Sequence, residues 1–308
     1  MHHQKKSDMN TTSRQLKAMR LIVNPISGTM HHKERLVKHL EERLGSCYRV
    51  SVVYTQRHGH ALELARQALD EGIRHIVAVG GDGTVGEVAR ALTGTDAVMG
   101  IVPMGSGNGL ATELGIVGHD ATCMADILCR GKVREIDCGS ADGQLFYCTC
   151  GTGFDADVSQ RFADSHLRGL LSYIRTSLHC FAHRKALNCT LLLEDGTRLQ
   201  RQVFLLNIAN ISQYGNHAYI APLASPDNGR LIVTVIPPIS LFGALQLAVS
   251  LFTKRIDKMK GVECLSCRSV HLDLPDDAAF HLDGDPIALS DHTLDIKVIA
   301  HALRVFVP

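Results

Sequence analysis

The residues best placed to do chemistry in this 308-residue chain are an aspartate and the glycines around it, Gly80-Gly81-Asp82-Gly83-Thr84. Gly81, Gly83 and Gly86 fit the spacing G-x-G-x-x-G, which lets a backbone turn approach a phosphate closely. His75 to Val79 is a short apolar, β-branched run that reads as a buried strand. From Thr84 onward, Val85, Val88, Ala89 and Leu92 recur at helical spacing, so the glycines sit between a strand and a helix N-terminus. The unpaired N–H groups and the dipole of such a terminus favour an anion. A plain strand-to-helix turn that binds nothing would need fewer glycines. Near the other end of the chain, Asp283-Gly284-Asp285-Pro286 supplies two more acids, which on residue types alone read as turn formers.

A dinucleotide-binding fold would also place an acid about 20 residues further on, at the end of the next strand. That place is held by Ile101-Val102-Pro103-Met104-Gly105-Ser106-Gly107-Asn108, which has no carboxylate and is a second glycine loop after a second apolar strand. Two such loops can close on one phosphate chain from neighbouring strand ends. A third turn, Asn24-Pro25-Ile26-Ser27-Gly28, follows the apolar run Leu21 to Val23. There is no G-x-x-x-x-G-K-[ST], D-F-G or H-R-D, so neither a P-loop NTPase nor a protein kinase is supported.

Together, Asn24-Pro25-x-Ser27-Gly28, Gly80-Gly81-Asp82-Gly83-Thr84 and Pro103-x-Gly105-Ser106-Gly107-Asn108 resemble the diacylglycerol kinase and sphingosine kinase superfamily, including its soluble bacterial lipid kinases. The likeness covers nearly the whole chain after residue 19 and continues through Gly151-x-Gly153-Phe154-Asp155-Ala156, Arg168-Gly169-Leu170-Leu171-Ser172-Tyr173, Gln213-Tyr214-Gly215-Asn216, Ala221-Pro222 and Leu282-Asp283-Gly284-Asp285. It implies ATP and Mg²⁺ as cofactors and a diacylglycerol-like or sphingoid lipid as substrate. It further implies nucleotide binding by Asn24, Pro25, Ser27, Gly28, Thr55, Gly80, Gly81, Asp82, Gly83, Thr84, Glu87, Gly105, Ser106, Gly107 and Asn108. Asp82 would organise the Mg²⁺·ATP phosphates, and Asp285 would be the general base. Two departures stand out: Gly86 precedes Glu87 where the family has Asn, and Asp285 stands where it has Glu. Soluble bacterial members also hold a structural Mg²⁺ beside an Asp-Asp-Gly turn. The corresponding stretch here is Asp227-Asn228-Gly229, with Asp227 the candidate ligand. A catalytically silent nucleotide- or lipid-binding module of the same fold is the alternative that the departures permit. An NAD-type kinase of soluble metabolites shares the Gly-Gly-Asp-Gly-Thr loop, but its later motifs are missing.

A net charge of +1 argues against a nucleic-acid partner, and apolar residues at 45% with charged residues at 20% are an ordinary globular balance. Ten cysteines without regular spacing and no apolar leader suggest free thiols in a cytoplasmic setting, with peripheral contact at the inner membrane face an option left open by the helical stripes below. Cys264-x-x-Cys267 reads as part of a strand, where positions three apart face opposite ways and cannot share zinc. Nothing in the sequence sets an oligomeric state.

These residues need a frame. Residues 1–19 are polar and basic and read as a flexible tail. Residues 20–135 alternate strands (Arg20 to Asn24, Val50 to Tyr54, His75 to Val79, Val98 to Val102) with helices, the pattern of a parallel α/β nucleotide-binding domain of the NAD-kinase type with its glycine loops on one edge. Residues 136–308 carry closely spaced strands, which gives a mainly antiparallel lipid-substrate domain whose last strand is able to return to the first. Two helical stripes interrupt it: Leu167 to Phe181, and Leu241, Leu245, Ala248, Val249 and Phe252 followed by Lys254, Arg255, Lys258 and Lys260. Neither is long enough to span a membrane, and such stripes usually face a core; membrane contact is the alternative.

Overall fold

In the computed structural model, residues 16–28, 33–118, 120–163, 186–289 and 291–308 are described. The stripe Leu167 to Phe181 and the run Arg168 to Tyr173 lie outside them.

The first half alternates β1 (Lys17–Val23), α1 (Lys33–Leu44), β2 (Tyr48–Tyr54), α2 (His60–Asp70), β3 (His75–Gly80), α3 (Asp82–Leu92) and β4 (Val98–Pro103), followed by α4 (Gly109–Glu113) and α5 (Ala121–Arg130). The four strands pair in parallel in the order β2-β1-β3-β4. Helices cover such a sheet on its faces, so its strands read as continuous apolar runs. Leu21, Ile76, Val77 and Met99 are fully buried, each contributing about 1.5–3 kcal/mol relative to exposure. The chain runs from β1 outward to β2 and then back across to β3. That reversal opens a crevice at the carboxyl ends of β1 and β3, where ligands of open α/β sheets bind. β1 begins at Lys17, inside the stretch expected to be a tail, because Lys17 to Met19 continue the ladder onto Tyr48 to Val50.

The second half holds β5 (Val133–Ala141), β6 (Gln144–Phe146), β7 (Thr149–Gly153), α6 (Phe154–Ala163), β8 (Leu187–Leu193), β9 (Arg198–Val203), β10 (Leu205–Ala209), β11 (Leu231–Ile236), α7 (Leu241–Phe252), β12 (Glu263–Cys267), β13 (Ser269–Asp273), β14 (Phe280–Leu282), β15 (Asp285–Ile287) and β16 (Thr293–Phe306). β12-β11-β10-β7-β14-β15 form an antiparallel sheet. It packs on β13, β8, β9 and part of β16 through a core that includes Leu206, Val233, Leu191, Leu272 and Ile296. Cys267 belongs to that inner core and Cys264 packs on the opposite face of β12, as strand alternation requires.

The two halves share a strand. β16 pairs with β13 over its first residues and runs parallel to β4 at Arg304 and Val305, so the parallel sheet continues into the second domain. An irregularity between Ile299 and Leu303 divides these roles. There His301 takes a φ of 52°, and its N–H donates to the fully buried Asp137 carboxylate at 2.9 Å. The other Asp137 oxygen accepts the Gly229 N–H at 2.7 Å, so one carboxylate ties the bulge to the Asp227-Asn228-Gly229 turn.

Two expectations fail here. Cys47 and Cys129 form a disulfide, with Cα atoms 5.9 Å apart, joining the turn between α1 and β2 to α5 across a separation of 82 residues that no local pattern reveals. The stripe on α7 faces solvent and not a core: Leu241, Phe242, Leu245, Val249 and Phe252 are exposed, and of this helix only Leu247 is buried.

Candidate active site

Three loops meet where the parallel strands end. After β1, Asn24 donates from Nδ2 to Thr84 Oγ1 at 3.1 Å and accepts the Ile26 N–H at 3.0 Å, while Ser27 Oγ donates to the Asn24 carbonyl. The Thr55 N–H donates to the Val23 carbonyl at 2.9 Å, which sets Thr55 beside that loop. The structure thus gathers Asn24, Pro25, Ser27, Gly28, Thr55, the Gly80 to Thr84 turn and Gly105 to Asn108 at one edge.

The glycines are explained first by how tightly these loops pack on one another. Gly28 has a φ of 65°, and a side chain there would overlap the Met104 carbonyl oxygen. A Cβ on Gly105 would lie 2.7 Å from the Gly81 Cα, so the two glycine loops touch backbone to backbone. Gly83 and Gly86 differ, because nothing lies within 4 Å of where their Cβ atoms would stand. The open space is over the first turns of α3, where unpaired N–H groups point outward.

Asp82 clamps this arrangement. Its Oδ2 accepts the Asn108 N–H at 2.9 Å and its Oδ1 accepts the Gly109 N–H at 2.7 Å, so it caps α4, whose own N-cap side chain makes no such bond. Asn108 closes its own loop by pairing its side-chain amide with the backbone of Gly105 at 2.8 and 2.9 Å. Glu87 is used elsewhere: its buried carboxylate accepts the N–H groups of Gly59 and Ala61 at 2.8 and 3.0 Å, capping α2, where the Gly59 N-cap has no side chain to do so.

Between the domains lies a cleft of about 260 Å³ with Asp82 and Gly86 on one wall and Cys148, Asp155, Tyr214, His281 and Asp283 on the other. Asp283 and Gly284 form a two-residue hairpin turn between β14 and β15, with φ values of 51° and 88°, the Asp-Gly signature of a type I′ turn. The Asp283 carboxylate accepts the N–H groups of Tyr147, Cys148 and Thr149 at 2.9, 2.7 and 3.1 Å. Burial pushes this carboxyl above its ordinary range, against the pull of the three N–H groups. Burial, with Asp283 and Asp82 nearby, also raises the Cys148 thiol well above its ordinary range, which favours the thiol over the thiolate. Asp285, the next residue after this turn, is exposed and is not among the residues lining the cleft. Among the described residues it makes no hydrogen bond or ion pair.

A cluster that residue types alone did not single out stands on the second wall. Asp155 Oδ2 accepts from Tyr214 OH at 2.9 Å and from His281 Nε2 at 3.1 Å. Gly284 N–H donates to His281 Nδ1 at 3.3 Å, which leaves Nε2 as the ring nitrogen facing Asp155. The motifs containing Asp155 and Tyr214 are visible in the sequence, but their meeting with His281 is not. Tyr214-Gly215-Asn216 also docks on the second glycine loop: the Asn216 N–H donates to the Gly107 carbonyl at 3.4 Å, and a Cβ on Gly215 would lie 3.0 Å from that oxygen.

Asp227 stands in no acidic cluster. Its Oδ2 accepts from Arg134 at 2.6 and 2.9 Å and its Oδ1 from Ser225 at 2.7 Å, contacts that hold its carboxyl below the usual range, Ser225 first. Asn228 Oδ1 accepts the Arg230 N–H of its own turn. A guanidinium thus stands against the oxygens that a structural Mg²⁺ would need, and the residues present do not fit that ion. Chelation with EDTA is expected to leave the thermal midpoint unchanged, read by a calorimetric melt with and without chelator; a drop on chelation would restore a metal to this turn.

Residues 18–141 match the family described as diacylglycerol kinase catalytic domain, and residues 148–307 match the YegS C-terminal NAD kinase beta sandwich-like domain. A Pseudomonas aeruginosa protein named "Probable lipid kinase YegS-like" is 30% identical over 84% of this chain and 85% of its own. A Bacillus subtilis diacylglycerol kinase is 26% identical over 88% of this chain and 90% of its own. A Bacillus anthracis structure solved as a diacylglycerol kinase shares the fold, with a TM-score of 0.75 at 16% identity over 95% of this chain and 97% of its own. With a parallel α/β half bearing the three loops and an antiparallel half closing the cleft, the chain belongs to the diacylglycerol kinase catalytic domain family.

Proposed function

We propose that this chain is an ATP-dependent lipid kinase that transfers the γ-phosphoryl group to a hydroxyl of a diacylglycerol-like or sphingoid lipid. The observation that carries the reading is the cleft, which sets the open first turns of α3 opposite a wall built by the second domain. Phosphoryl transfer depends on positioning and on charge placed in line with an acceptor hydroxyl. Backbone N–H groups at Gly81 to Thr84 and at Ser106 and Gly107 hold the nucleotide phosphates, with Asn24, Ser27, Gly28 and Thr55 at the outer side and Gly105 and Asn108 shaping the loop. Among the described residues no group of three His, Cys, Asp or Glu side chains could hold a metal alone. Mg²⁺ is commonly held by one or two carboxylates together with substrate phosphates, and Asp82 is the acid at these loops. When bound, Mg²⁺·ATP supplies the transferred group and neutralises its charge.

On the acceptor side, Asp82, Asp155 and Asp283 are each engaged by donors of the protein. Of these four acids, Asp285 has its oxygens free among the described residues, on a strand that starts where the cleft wall ends, and it takes the proton of the lipid hydroxyl. Asp155, held by Tyr214 and His281, orients that hydroxyl. The lipid reaches the protein from the cytoplasmic membrane face by peripheral contact; no helix among the described residues is long and apolar enough to cross a membrane.

A second reading, a nucleotide- or lipid-binding module without turnover, draws on the exposed position of Asp285. Purified protein with labelled ATP and a panel of diacylglycerols, monoacylglycerols and sphingoid bases decides between them. Label is expected in at least one lipid. Nucleotide binding with no labelled lipid would favour the silent module, and label only in soluble acceptors would favour a metabolite kinase.

A further inference from the structure

A helix on the surface of a folded domain normally turns its apolar side inward and its charged side to water. α7 does not. It carries no charged residue, and Leu241, Phe242, Leu245, Val249 and Phe252, which recur along one helical face, are each at least 57% exposed. Its inner side is already packed: Leu247 joins Phe204, Ile236 and Ile256 in a separate apolar cluster beneath it. The outer face is therefore a continuous apolar surface turned to solvent, of a kind that marks an interaction site.

The chain after the helix says what that surface meets. Lys254, Arg255, Lys258 and Lys260 follow within eight residues of its end and are all exposed. Lys254 Nζ lies 4.1 Å over the Tyr219 ring. Arg255, Lys258 and Lys260 have no ion pair among the described residues. An apolar helical face bordered by cations is complementary to a bilayer whose surface is anionic.

The helix is also wired to the cleft. The Tyr219 N–H donates to the Leu251 carbonyl at 2.9 Å, Gln213 and Tyr219 form a β-bridge, and Tyr214 between them lines the cleft. We propose that α7 and its basic tail form the surface by which the protein docks on an anionic membrane, seating the cleft beside the lipid layer. This rests on the lipid kinase reading and names the surface that delivers its substrate.

The test is co-sedimentation with vesicles of phosphatidylcholine, with and without phosphatidylglycerol, in the absence of ATP. The wild-type protein is expected to bind the anionic vesicles and to be released by salt. Phe242→Glu with Leu245→Glu is expected to lower partitioning at least about tenfold. Arg255→Gln, Lys258→Gln and Lys260→Gln together are expected to lower it by on the order of a hundredfold and to flatten the salt dependence, at roughly fivefold per cation. Both variants keep the wild-type thermal midpoint and wild-type turnover on a dispersed short-chain diacylglycerol, which needs no bilayer. Wild-type protein that stays in the supernatant, or vesicle binding unchanged by the α7 substitutions, overturns the proposal. So does a wild-type dimer in light scattering that Phe242→Glu with Leu245→Glu converts to monomer, since a second copy then covers the face. Vesicle binding lost in the variants while neither protein turns over any lipid would support the docking surface and sink the kinase reading alone.

Discussion

Asp82→Asn is expected to reduce turnover at least about 100-fold and also to lower stability by about 1–3 kcal/mol. The sequence, which gives Asp82 a part toward the phosphates alone, anticipates only the first effect. The second follows from the clamp: both carboxylate oxygens accept backbone N–H groups, from Asn108 and Gly109, and an amide can accept only on one side. Its NH₂ would point at a backbone donor, leaving that N–H unpaired and loosening the second glycine loop from the first. A charge misplaced beside the phosphates then adds to the loss, because fixed charge in a phosphoryl-transfer site contributes several kcal/mol to the transition state. Initial rates and urea melts on the same preparation separate the two effects. Wild-type turnover would remove Asp82 from the mechanism, and an unchanged melt would show the clamp to be idle.

The hairpin between β14 and β15 carries two acids that should behave in opposite ways. Asp285→Asn is expected to cut turnover at least about 100-fold while leaving both nucleotide affinity and the melting midpoint unchanged, since the side chain is exposed and acts on the acceptor. Asp283→Asn is expected to destabilise the protein by about 1–3 kcal/mol for each N–H left without a partner, because three backbone donors converge on its carboxylate. A longer acid sharpens the comparison. Aspartate is one methylene shorter than the glutamate that the family resemblance implies here, and an error on the scale of 1 Å can cost about 100-fold. A site adapted to the shorter acid loses rate in Asp285→Glu, and a decayed one gains it. Full activity in Asp285→Asn would hand the proton to Asp155, whose replacement by Asn should then silence the protein.

What could be read from the sequence was the part set by local pattern. The run His75 to Val79 is a strand that ends one residue later, at Gly80, and the parallel ladder of β1 to β4 follows from apolar runs buried on both faces. The three loops were legible because glycine and asparagine at strand ends have few other uses. Roles that depend on distant partners were not. Glu87 lies next to the phosphate turn in sequence yet caps α2, because a helix that starts on Gly59 must find its acceptor elsewhere. Asp283 looked like a turn former, and it is one, but its side chain also holds a segment more than 130 residues away. α7 was misplaced for a different reason. Periodicity shows that a stripe exists, not which way it faces, and here the residues between the stripe, Leu247 among them, fill the core.

Phosphorylation of a lipid hydroxyl in this cleft can be read by mass spectrometry of a mixed lipid extract incubated with the purified protein and ATP. One lipid class is expected to be converted to its phosphomonoester, with no such product from Asp82→Asn. An extract left unchanged, by protein that binds ATP and melts as a folded unit, would contradict it.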